Sequence, residues 1–348
     1  MSGHTHDHID WADRLVLLHA ADTFDAPAHS AIAARLVAKL PANPTVIDLG
    51  CGAGGMSTHF AQALAAQSGG TIILVDATPE LLREAERAVR AAANVAQANR
   101  ADGSPQTHNG RAPESRAEPP GGNRAAVEDD ARAADGTART AEGITPTTDG
   151  IAQTVEVRAV VADLADGSLP DLLPAADLVW ASRVVHHLPD QQAAISSLTA
   201  VARTGGVVAL AEGGLSFSCL PWDLGLGRPG LEDRLQAAQA EWFVGMRAGI
   251  DGTVPMPYGW PLALERAGLA DVSSFSALVD HPAPGPDGLA DYVHHHLSRL
   301  ATHGADHLSD EDRATLAALL DPDSAHYLGN RRDLFLLGAR TVHHGRRP

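Results

Sequence analysis

The chain has 348 residues, 44% of them hydrophobic, with 43 Asp and Glu against 26 Lys and Arg for a formal net charge of −17. That length accommodates one large domain or two ordinary ones around a real core, and the apolar content is that of a folded soluble protein. A surface so negative repels phosphate backbones and anionic lipid, which argues against nucleic-acid and membrane substrates but leaves room for a locally basic pocket.

In chain order, the first residues carry His4, His6 and His8 in a polar tail whose alternate spacing fixes no metal geometry, and His343 to Pro348 read as the opposite frayed end. There is no signal-peptide core and no apolar run near the roughly 20 residues that span a bilayer. Cys51 and Cys219, far apart in apolar contexts, imply neither a disulfide framework nor a zinc site, so a reduced, cytoplasmic setting is expected. From Trp11 to Leu40 the apolar residues recur at helical spacing, predicting two helices broken around Phe24 to Pro27.

Thr45 to Leu49 is a short apolar run that ends in glycines, as a buried parallel strand does. A helix over Met56 to Gln67, a strand over Thr71 to Val75 and a helix over Pro79 to Ala93 follow, and this alternation implies βαβ units. The pattern stops near Gln97. Up to Gly150 the only large apolar residues are Val127 and Ile144, too few to offset the entropy of ordering, so 97–150 is expected to be a disordered insertion. Strand-like runs resume at Val155 to Val161, Asp177 to Ala181 and Gly206 to Ala211, which makes the insertion a loop within one domain. Beyond Gly214 the sequence predicts an amphipathic helix over Leu231 to Gly249 and an aromatic, Pro-rich cluster from Val254 to Pro261. A short helix to Ala267, a strand over Asp271 to Leu278, helices over Asp287 to Ala301 and Ser309 to Leu320, and a last strand over Asp333 to Val342 complete it. The expected division is N-terminal helices over 1–40, an α/β core over 41–96 and 151–214, a helical and aromatic cap over 215–260, and the rest of the core over 261–342.

The most informative segment is Val46-Ile-Asp-Leu-Gly-Cys-Gly-Ala-Gly-Gly55. A strand ends in an acidic residue, and Gly50, Gly52 and Gly54 turn the chain into a helix whose free N–H groups face a ligand. By itself such a turn serves a nicotinamide, a flavin or no ligand at all. Asp76 ends the second strand before Ala77, where a carboxylate can accept two ribose hydroxyls, and Asp163 precedes Leu164 at the end of the third. The fourth strand runs into Ser182-Arg183-Val-Val-His186-His187-Leu-Pro-Asp190 at the carboxyl edge, where open α/β sheets bind their ligands.

Taken in order, these segments resemble the class I, Rossmann-like, S-adenosylmethionine-dependent methyltransferases. Asp48, Gly50, Gly52 and Gly54 match that family's first motif, E/D-x-G-x-G-x-G. The resemblance implies an α/β fold: a doubly wound, seven-stranded, mostly parallel sheet with an antiparallel last strand, here with helical cap additions. It also implies that Asp48 and the glycines hold the methionine part of S-adenosylmethionine, Asp76 and Ala77 the ribose, and Asp163 and Leu164 the adenine, with Ser182 nearby. The long insertion departs from the family pattern between the second and third strands.

Methyl transfer needs alignment in a dry pocket, and a general base only for some acceptors. His186 and His187 are candidate bases, with packing at a helix start as the competing reading. Arg183, Glu212 and the aromatics Trp222, Trp242, Tyr258 and Trp260 are candidates for the side facing a small-molecule acceptor, and Arg228 could meet an acidic one. The adjacent His294, His295 and His296 diverge around a helix and cannot chelate one metal, so no metal is expected. Two other readings stay open: an NAD-dependent oxidoreductase, disfavoured by Asp48 and by the absence of a Tyr–Lys pair when Lys39 is the sole lysine, and a non-catalytic cofactor-binding subunit.

Overall fold

A computed structural model describes residues 11–101, 154–166 and 169–348. His4, His6, His8 and most of the expected insertion lie outside the described residues. The strands are β1 (Thr45–Leu49), β2 (Gly70–Asp76), β3 (Val155–Val161), β4 (Ala176–Ser182), β5 (Ala202–Ser218), β6 (Ala270–His281) and β7 (Leu336–Arg346). They form a single sheet in the order β3-β2-β1-β4-β5-β7-β6, in which β7 runs antiparallel to both of its neighbours. Val46, Ile47 and Leu49 are fully buried because helices cover both faces, which is why the central strands read as unbroken apolar runs.

On one face lie α1 (Trp11–Val37), α2 (Gly55–Ala66) and α3 (Pro79–Ala101), burying Ile32, Phe60 and Val89 against Ile72, Leu178 and Trp180. The other face is covered by α4 (Leu169–Leu172), α5 (Gln191–Val201) and α7 (Trp260–Arg266), over Ile47, Val179 and Leu210. A third cluster joins α6 (Leu231–Ala248), α8 (Leu289–His303) and α9 (Asp310–Leu320) to the outer ends of β5 and β7, through Leu235, Val293 and Leu336. This third layer stands beyond the carboxyl edge of the parallel strands. No described helix is long and apolar enough to cross a membrane.

Several expectations are corrected. The two N-terminal helices are one: α1 continues through Pro27 because Phe24 and Ala28 are buried and Asp25, fully buried, is held by Arg340 of β7 at 2.7–3.1 Å. The tertiary pairing outweighs the lost helical hydrogen bond at the proline. Helix α3 passes Gln97 and reaches Ala101, since Val89, Ala93 and Ala96 continue its buried stripe at i, i+4 and i+7. Strand β5 extends to Ser218, into the expected cap, bending at a register shift between Ala211 and Gly214. The C-terminus is not frayed: β7 is hydrogen-bonded on both sides to Arg346, and Arg347 N–H donates to Gly206 O at 2.8 Å.

Candidate functional site

At the carboxyl edge β1 turns into α2 through Gly50, Gly52 and Gly54, all at positive φ. Gly50 and Gly54 are required by close approach. A Cβ at Gly50 would meet Val184 Cγ2 at 2.5 Å, and one at Gly54 would meet Ala85 Cα at 2.9 Å. At Gly52 it would meet nothing within 4 Å, so the loop's middle opens onto free space. Backbone N–H groups of Gly50 and Cys51 donate to Val75 O at 2.8 and 3.0 Å, tying the loop to the end of β2.

Asp76 accepts Gly52 N–H on Oδ2 and Thr78 N–H on Oδ1, each at 2.9 Å. Each oxygen keeps a further lone-pair direction for a ligand hydroxyl. Ala77 beside it is exposed. Asp163 Oδ1 caps the following turn by accepting Ala165 N–H at 2.9 Å, and Leu164 packs on the second core cluster. Since Asp76 pairs with Val161 across β2 and β3, these residues share one edge.

Asp48 is buried and accepts the Ser57 hydroxyl at 2.5 Å. Burial pushes its pKa up to about 7; the Ser57 hydrogen bond opposes this, and the charges of Asp76 and Asp22 add to it. Asp22 of α1 lies over the N-terminus of α2, where a Cβ on Gly55 would collide with its carboxylate. Burial raises Asp22 to about 6. Three carboxyls thus surround a loop of backbone donors, a setting that suits a ligand with hydroxyls and net positive charge.

On the other side of β1, Ser182 ends β4 and Arg183 adopts φ 54°, with its N–H donating to Ala211 O at 3.1 Å. A left-handed arginine is uncommon and marks a turn held by its surroundings. Glu212, expected to face a substrate, is instead fully enclosed. Its Oε1 accepts Val184 and Val185 N–H at 3.0 and 2.8 Å, and its Oε2 lies 2.7 Å from His186 Nδ1. In the tautomer that donates Nδ1–H to the carboxylate, Nε2 is the unprotonated ring nitrogen of His186. The His187 ring lies 4.0 Å from that of His186, centroid to centroid, and is more exposed.

Helix α6 closes over this loop. Arg247 donates to His186 O at 2.9 Å and Leu188 O at 2.7 Å, and the Phe243 ring stands 5.7 Å from that of His186. Trp242 stacks on His303 of α8 at 3.8 Å, joining the two cap helices. The other aromatics lie elsewhere. Trp222 is 70% exposed, and its carbonyl accepts Gly230 N–H. Tyr258 donates to Gln192 Oε1 at 3.1 Å beneath Arg266, and Trp260 packs on the second core cluster, because their segment leads into α7 on the opposite face. Arg228 contributes its carbonyl to Arg234 at 2.9 Å.

A family model for a methyltransferase domain matches residues 22–273. The chain belongs to that methyltransferase family. The alternative oxidoreductase reading is thereby set aside, and the cofactor is S-adenosylmethionine. No curated protein matches the sequence. Among solved structures, a Bacillus halodurans protein with a provisional methyltransferase assignment is 14% identical, over 90% of this chain and 97% of that one, with a TM-score of 0.41. An S-adenosylmethionine-dependent methyltransferase from Thiobacillus denitrificans, in complex with S-adenosylhomocysteine, is 15% identical over 91% and 90%, with a TM-score of 0.39. The YcgJ protein of Bacillus subtilis is 16% identical over 92% and 98%, with a TM-score of 0.38.

The methyltransferase also carries a chamber of mixed lining, with Ile32, Trp180 and Ala211 beside polar groups, that motif reading finds only in part. A pocket opens among Ser182, Arg183, Gly213, Arg340 and His29. Arg340 bridges Asp25 and lies over the Phe217 ring at 4.4 Å. Tyr292 of α8 is 4.9 Å from Phe24 and 6.3 Å from Phe217 between ring centroids, and His296 is 6.2 Å from Phe217. Burial lowers His29 and His296 to about 4, so both are neutral near pH 7. His294 instead donates to Leu320 O at 3.1 Å, confirming that the histidine triplet diverges. The available signal was spacing: Asp22, Asp25 and His29 share one face of α1, and Tyr292, His296, Arg299 and His303 one face of α8.

Proposed function

We propose that this methyltransferase acts on a small molecule held between the carboxyl ends of β4 and β5 and the α6–α8 layer, with His186 as proton acceptor. The observation that carries the reading is the Glu212–His186 contact of 2.7 Å beneath α6. A buried carboxylate fixes the tautomer and orientation of a half-buried imidazole, which leaves Nε2 to accept a proton from a hydroxyl or an ammonium. Glu212 is a positioning residue. Arg247 fixes α6 on the carbonyls of the same turn, which narrows the entrance above His186 and favours a compact acceptor over a folded polymer.

Bound S-adenosylmethionine supplies a methyl group on a sulfonium that is transferred by in-line displacement. Asp76 and Ala77 would meet the ribose, Asp163 and Leu164 the adenine. Asp48, through Ser57, and Asp22, over α2, would meet the amino group beside the glycine loop, with Ser182 at its rim. This assignment fits the open face of Gly52 and the carboxyls around it.

The test is release of S-adenosylhomocysteine with panels of small phenols, alcohols and amines, alongside RNA and unfolded protein. Turnover is expected with a member of the small-molecule panels, and His186→Asn should lower kcat on the order of 10²-fold or more. Methyl incorporation into RNA or protein alone, or an unchanged kcat in His186→Asn, contradicts the reading.

A further inference from the structure

In a protein of net charge −17, arginines converge where the acceptor would lie. Arg183 leaves the end of β4 in a left-handed turn and lines the pocket beside Ser182 and Gly213. Arg340 lines it from β7. Arg299 projects from α8 one turn beyond His296 and two beyond Tyr292, on the face that meets Phe217.

Their charges are not equally compensated. Arg340 is held by Asp25 through both carboxylate oxygens. Asp22 is the other acid near Arg183, and it lies over the N-terminus of α2 on the glycine-loop side. Among the described residues, neither Arg183 nor Arg299 makes an ion pair or a side-chain hydrogen bond. Arg183 and Arg299 are both solvent-exposed, and Arg183 lines the open pocket. The protein packed around each and the neighbouring arginine charges pull both pKa values down, Arg183 under the charge of Arg340 and Arg299 under those of Arg183 and Arg340. Like charges held near one another repel, and an anion between them offsets that repulsion. Nearby His29 and His296 are neutral and add no charge, while Tyr292 and Ser182 offer hydroxyl donors.

We propose that the acceptor carries a compact oxyanion, a carboxylate or a phosphate group, and that Arg183 and Arg299 receive it beside Tyr292. The planar guanidinium fork matches either group and places the rest of the acceptor toward Ser182 and His186. This rests on the reading of the chamber as the acceptor site. It makes the anion a recognition handle and Arg183 and Arg299 specificity-determining residues.

Calorimetric titration of the full chain saturated with S-adenosylhomocysteine tests this, with benzoate, inorganic phosphate and uncharged benzamide as probes. Benzoate or phosphate should bind saturably, and benzamide at least tenfold more weakly. Arg183→Gln and Arg299→Gln should each weaken the bound oxyanion about tenfold or more and leave S-adenosylhomocysteine affinity unchanged. Arg183→Lys, which keeps the charge without the fork, should fall between, and Arg266→Gln on the opposite face should match the wild type. Benzoate binding alone selects a carboxylate handle, and phosphate binding alone a phosphorylated acceptor. Failure of both to bind, equal binding of benzamide, or unaltered oxyanion binding in both glutamine variants overturns the inference. If the wild type fails to bind S-adenosylhomocysteine, the reading of the whole site falls instead.

Discussion

The two halves of the carboxyl edge are built by opposite strategies. The cofactor half is local: Asp48 to Gly55 and Asp76 to Thr78 form a loop of backbone donors and short carboxylates whose partners lie within a few dozen residues. The half proposed for the acceptor depends on a contact across nearly the whole chain, with Asp25 meeting Arg340 315 positions away. A loop that must approach a shared ligand with its backbone is constrained residue by residue. The chamber proposed for the acceptor is made of side chains brought from α1, β4, β7 and α8.

The largest expected effect separates the halves at the loop. Gly54→Val puts a side chain into Ala85 from a backbone at φ 88°, and S-adenosylhomocysteine binding should disappear in calorimetry. Next is Asp25→Ala, which leaves Arg340 unpaired in the interior and should cost about 3 kcal/mol or more in urea unfolding. If the halves are independent, S-adenosylhomocysteine affinity of the still-folded variant stays near wild type; a parallel loss would break the comparison. Glu212→Gln should lower kcat on the order of 10²-fold with little change in cofactor affinity, since it disturbs only the orientation of His186 and the Val184–Val185 turn.

The remaining expectation is a pH dependence. Asp48 is raised to about 7 in the folded protein, so the native state holds a proton that the unfolded chain has already lost. Its contribution to stability is therefore present at low pH and is lost as pH rises through about 7. Asp48→Asn removes that loss, so the melting temperature of the variant relative to wild type should climb between pH 4 and pH 7. A constant difference would show that Asp48 is not held protonated.

The same contrast explains what could be read from the sequence. The glycine turn after β1 and the mostly parallel sheet were legible because strand ends and the alternation of strands and helices encode them. The break expected at Phe24 to Pro27 failed because Asp25 has its partner at the far end of the chain. Glu212 looked like a strand-end acid facing a ligand, yet backbone N–H groups of the neighbouring strand's turn consume it. Tyr258 and Trp260 were grouped with Trp242 by composition, but a helix on the opposite face claims them. Arg299 and Tyr292 carry no motif, and their common helix face is the one sequence feature that links them.

The central claim is that this edge binds S-adenosylmethionine through the glycine loop and Asp76, and titration of wild type and Asp76→Ala with S-adenosylhomocysteine and NAD tests it most directly. Saturable S-adenosylhomocysteine binding, weakened by on the order of 2–4 kcal/mol in Asp76→Ala, with no NAD signal, is the predicted result. NAD binding, no binding of either ligand, or undiminished affinity in the variant would contradict it.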